Sequence, residues 1–167
     1  MAKVVLAALL AGTAAIVCVG IALLGALLFN VDMPSGDGFW SITAGTVIYA
    51  MLFTVSGLAF AAITRNQTAA VALLLLVPTV LEAIIKAVVL AVKFGSDDPT
   101  GEGGFAGLLR FLPYDAGGQM YTRVSLDRAL EVFGIIPFGP VGGGLVMGTF
   151  VAVLLAISTA LFLRRDA

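Results

Sequence analysis

Two charged residues stand where a bilayer would put hydrocarbon. Glu82 lies near the middle of a long apolar stretch, and Lys86 follows it by one helical turn. Acid first and base four residues later is the better order for an ion pair on one helix. Burying a charge in hydrocarbon costs at least about 2.5 kcal/mol, so intramembrane ionisable residues are rare and usually functional. The pair reads in two ways. It is a self-neutralised pair that faces the bundle interior and fixes helix rotation, or it is a polar spot on a substrate or ion route. Proton transfer along such a route needs a relay, and no other carboxylate lies clearly inside a span, which disfavours a proton pump. Pro78 precedes Glu82 by four residues and removes the helical bond to the carbonyl of Leu74. A kink is expected there, with Glu82 the residue that a hinge would move.

Other chemistries find no footing. Histidine is absent, which removes the commonest general base and the commonest metal ligand. Zinc proteases of the His-Glu-x-x-His kind and Ser-His-Asp hydrolases are excluded, and no metal or cofactor is expected. Catalysis within a membrane would need paired carboxylates or a nucleophile with a base, and neither is visible, so the chain is not read as an enzyme. No Gly-x-x-x-x-Gly-Lys-Ser/Thr run occurs, and Gly142-Gly143-Gly144 lacks the following lysine. If ATP is used, another chain binds it. A net charge of -1 leaves no basic face for a nucleic acid backbone. The lone Cys18 sits in an apolar run; it forms no intramolecular disulfide and reads as a small packing residue.

These residues must be held by membrane helices. The chain is 60% hydrophobic and 11% charged, against about 25% charged in a soluble domain. Four apolar runs are long enough to span a bilayer, which takes about 20 residues: 4–29, 41–64, 68–92 and 140–162. The first is too long for a signal peptide, whose apolar core holds about 7–15 residues. Thr64-Arg65-Asn66-Gln67 is the only polar break between the second and third, so the chain must turn there. Pro140 suits the first turn of the fourth helix, where its missing N–H is no loss. Lys3, Arg65, Arg164 and Arg165 fall on one side if the spans alternate, which makes both termini cytoplasmic.

Residues 93–139 form a long outer loop that is not simply polar. Its run from Phe105 to Leu112 is apolar enough to enter the membrane edge but too short to span, and Pro113 stops it, so a re-entrant or interfacial piece is expected. Ser125 caps an expected helix from Leu126 to Phe133, closed by Gly134. The loop is either an ordered outer cap or a gate. Small residues spaced by four, at Gly144 and Gly148 in the fourth span and at Gly57 and Ala61 in the second, suit close helix contacts, whether within the chain or in a dimer. The fold class is all-α: a single polytopic membrane domain of four helices with a partly re-entrant helical loop before the last.

Several short runs carry a family likeness. Thr64-Arg65-Asn66-Gln67-Thr68-Ala69-Ala70 at a tight turn, the span around Pro78 and Glu82, Arg110-Phe111-Leu112-Pro113, and Phe162-Leu163-Arg164-Arg165-Asp166 together resemble the second half of bacterial ABC transporter permeases of the type-2 exporter class. Ala2-Lys3 before an apolar run resembles the start of the third helix of such permeases. On this likeness the four spans correspond to the family's last four of six. The resemblance implies a multi-pass plasma-membrane subunit that works as a pair and is driven by a separate P-loop ATPase, exporting a lipid, peptide, drug or polysaccharide. It also implies that two further helices, and the cytoplasmic coupling helix that follows them, would precede Met1. The competing reading is a non-transporting accessory subunit, homo- or hetero-oligomeric, of a larger membrane assembly.

Overall fold

The computed structural model describes residues 2–30, 37–95, 105–122 and 138–165. The expected helix 126–133 and its cap Ser125 lie outside these residues. Among the described residues the fold is wholly helical. It comprises α1 (Ala2–Leu28), α2 (Asp37–Thr64), α3 (Gln67–Leu76), a π-helical turn (Val77–Leu81) and α4 (Glu82–Gly95). A 3-10 helix (Phe105–Phe111), α5 (Pro113–Gly118) and α6 (Gly139–Arg165) complete it.

Four segments are long and apolar enough to cross a membrane: Ala2–Leu28, Gly38–Thr64, Gln67–Val92 and Gly139–Arg164. The 27 residues of α1 make a rod of about 40 Å, more than a hydrocarbon core requires. Several hydroxyls within the spans are satisfied locally. Thr46 donates to the carbonyl of Ile42 and Thr149 to that of Leu145, both at 2.8 Å, as hydroxyls in apolar helices do.

The turn between α2 and α3 is built by three polar residues. Arg65 takes a left-handed φ of 53°, which ends α2. Asn66 then caps α3, its side-chain oxygen accepting from the N–H groups of Thr68 and Ala69 at 2.9 and 3.3 Å. The Thr64 hydroxyl lies within reach of two carbonyls, that of Phe60 at 2.9 Å and that of Asn66 at 3.1 Å. Two donors left orphaned at a helix start are thus satisfied.

Helix α2 is the centre of the bundle and packs against α1, α3 and α6. Helix α1 lies at the edge, with only Gly12 and Ala15 buried. Cys18 is exposed on it, so the thiol faces away from the bundle rather than filling space inside it. The deepest core is not made by the spans alone. Leu109, Leu112, Tyr114, Ala116 and Met120, from the segment before the last span, are buried with Val55, Phe60, Met147 and Val151 of α2 and α6. Residues 105–122 therefore pack into the bundle: α5 against α6, and the 3-10 helix against α4.

That insertion depends on close approaches. A Cβ added at Gly45 would collide with the carbonyl of Met120, and one at Gly143 with the carbonyl of Ala116. Only a residue without a Cβ lets the loop backbone come so near α2 and α6.

Candidate functional site

Pro78 removes an N–H from the third span, and the helix responds with a π turn over Val77–Leu81. The N–H of Glu82 reaches the carbonyl of Val77, five residues back. The irregularity expected at Pro78 is therefore a widened turn. Its extra residue re-registers every side chain that follows, a common device at functional positions. Glu82 is the first residue after that turn.

Glu82 is only 2% exposed and its carboxylate is fully engaged. Oε1 accepts the backbone N–H of Tyr114 at 2.9 Å, and Oε2 that of Asp115 at 3.1 Å. The need for this acceptor starts in the local sequence. Pro113 opens α5 with no N–H to lose, whereas Tyr114 and Asp115 carry the unpaired donors of a first turn. The preceding residue, Leu112, offers no side-chain cap. The cap comes instead from another helix, and it is charged, the favourable sign at a helix N-terminus.

Lys86 forms its ion pair with Asp115, not with its helical neighbour Glu82. The spacing of four on α4 is thus read across a gap. Glu82 and Lys86 lie one turn apart and grip consecutive residues at the start of α5. The expected intrahelical pair is replaced by two interhelical ties, which give the carboxylate N–H partners and leave the ammonium a carboxylate of its own.

A second polar contact anchors the same turn from α2. The Tyr114 and Ser56 hydroxyls lie 3.0 Å apart, and Ser56 donates to the carbonyl of Phe53 at 2.7 Å. The Tyr114 hydroxyl is then the donor to Ser56. Burial, more than the nearby Glu82 charge, raises the Tyr114 pKa above its usual value, so that hydroxyl stays protonated. Its ring meets Phe53 and Phe150 edge-on, each with centroids 5.7 Å away, a geometry that suits aromatic quadrupoles.

Beside this junction lies a polar cavity of about 250 Å³, lined by Tyr49, Pro78, Glu82, Tyr114, Asp115 and Tyr121 among others. Tyr49 and Tyr121, both in its wall, pack edge to face on each other, with centroids 4.9 Å apart. A second cavity, apolar and about 350 Å³, lies between α2 and α6 against Met120, with Gly45, Ile48 and Leu145 in its wall. Among the described residues, no three side chains of metal-ligating type come together.

The glycines singled out by spacing part company. A Cβ at Gly57 would sit 3.0 Å from Leu74 of α3, and one at Gly144 3.3 Å from Met120, so both face internal contacts. Gly148 faces open space. Tyr114, Asp115, Ser56, Tyr49 and Tyr121 were not singled out from sequence. Two patterns pointed to all of them but Tyr121. Pro113 followed by Asp115 is a helix start as well as a stop to what precedes it. Tyr49, Phe53 and Ser56 recur at helical spacing along one face of α2.

No protein-family model, curated protein or solved structure matches the chain.

Proposed function

We propose that the chain is the permease-like, membrane-spanning subunit of an ABC-type exporter in a bacterial plasma membrane, powered by a separate ATPase subunit. The observation that carries this reading is the outer segment 105–122. It folds back among the spans and is tied to Glu82 in the third, at the place where type-2 exporter permeases have their partly re-entrant loop. A cap that only covered the outer surface would have no need of buried glycine contacts and a charged anchor on a span. A loop that lines a transport route does, because its backbone must be satisfied wherever it leaves water.

In this arrangement both termini and the Thr64–Gln67 turn face the cytoplasm. A cysteine at the exposed position Gln67, in a Cys18→Ala background, is expected to react with an impermeant maleimide in inverted vesicles and not in right-side-out ones. The decisive experiment is mass spectrometry of what co-purifies from native membranes in mild detergent. A stoichiometric P-loop ATPase is the expected companion. Subunits of another complex, with no ATPase, would replace the export reading with that of an accessory subunit.

A further inference from the structure

We propose that Glu82 is a proton-operated latch. Its ionised carboxylate holds the first turn of α5 against α4, and proton uptake releases residues 113–122 from the spans and opens the polar cavity beside them. The proposal goes beyond the export reading and requires no ATPase.

The chemistry follows from the two hydrogen bonds. Both carboxylate oxygens face N–H donors, from Tyr114 at 2.9 Å and Asp115 at 3.1 Å. Only the ionised group is acceptor-only and offers full acceptor strength to both. A proton added to either oxygen leaves a hydroxyl, a far weaker acceptor, so the bond from one buried N–H is largely lost. Helix α5 has six residues and no cap of its own, so nothing local replaces the lost bond. Glu82 borders the cavity, which gives a proton a way in.

The surrounding charges leave Glu82 as the switching group. On α4, Lys86 is committed to Asp115 of α5, and that pair is partly solvated at 31% and 21% side-chain exposure, so it holds less firmly once Glu82 lets go. On α2, Tyr49 borders the cavity, and Ser56 receives the hydroxyl of Tyr114, which burial keeps protonated. Tyr121 lies beyond α5 and packs on Tyr49. Arg110, on the 3-10 helix, has its guanidinium 6.0 Å from the ring centre of Phe138. The π turn directly before Glu82 offers the place where the helix can re-register as the latch opens.

The direction of the pH effect is set by linkage. The closed state supplies two N–H groups to the anion; the open state leaves Glu82 at the same depth without them. The closed state therefore favours the ionised group, and lowering the pH shifts the balance towards opening.

The test is hydrogen exchange of the full chain in lipid nanodiscs, read on peptides that cover 105–122. Labelling runs from about pH 9 to about pH 4, bracketing the carboxyl range, with exposure times scaled to the chemical exchange rate at each pH. In the unsubstituted protein, protection around Tyr114 and Asp115 is expected to fall about tenfold or more on acidification, while that of α2 and α6 holds. Glu82→Gln should show the low protection at every pH, and Asp115→Asn should keep the transition. Flat protection in the unsubstituted protein overturns the proposal. So does an unchanged transition in Glu82→Gln, or loss of the transition in Asp115→Asn, which would assign the proton to Asp115. Should Glu82→Gln fail to assemble, the other two titrations decide.

Discussion

At the scale of single residues, the junction concentrates its energy in groups that have no alternative partner. Glu82 and Ser56 are as fully buried as Met147, the innermost apolar side chain. Glu82→Leu would keep the volume and remove the acceptor, stranding two buried N–H groups at about 1–3 kcal/mol each. Glu82→Gln keeps one carbonyl oxygen and should lose less. Asp37→Asn should cost least, because that acid lies in the polar stretch between the first two apolar runs rather than inside one. Thermal unfolding in detergent should rank the three in that order. Tyr114→Phe is expected to cost about 0.5–1.5 kcal/mol, since Ser56 keeps its bond to Phe53. Paired with Ser56→Ala, the double substitution should cost less than the sum of the singles, because both remove one bond. Strict additivity would mean that the two hydroxyls do not interact.

At the scale of elements, the third span is the adjustable part. Its two α-helical pieces, α3 and α4, are joined by the π turn at Pro78. Pro78→Ala would restore an N–H able to bond the carbonyl of Leu74. Closing the turn to regular α-helix would rotate Glu82 by about 100° and take it away from α5. The expected result is lost exchange protection at Tyr114 and Asp115. Retained protection would mean that the grip on α5, rather than the proline, imposes the π turn. The proline and the missing bond were legible in the sequence, because they follow from residue type alone. The form of the irregularity was not, since a proline in a helix is compatible with a kink or with a widened turn.

At the scale of the whole molecule, the segment 105–122 completes a core that the spans leave open. Gly143→Leu should expel it, because the side chain would occupy the place of the Ala116 carbonyl; peptides over 113–122 should lose protection while α1 stays unchanged. Gly148→Leu meets open space and should leave the thermal midpoint nearly unaltered, as surface changes do. If α6 meets a second copy through that face, the same substitution should lower the mass measured in detergent by light scattering. An unchanged mass would remove Gly148 from any contact between chains. The sequence by itself determined four apolar helices, the turn at Thr64–Gln67 and the prominence of Glu82. Those follow from hydropathy, span length and the cost of a buried charge, all of which are local quantities. It could not determine the partner of Glu82. Spacing along one helix pointed to Lys86, four residues away, whereas the partners are backbone N–H groups 32 and 33 residues further on. Pro113 marks where unpaired backbone donors fall but not which acceptor meets them, and only the folded-back loop, admitted by glycines at positions 45 and 143, brings them to the carboxylate.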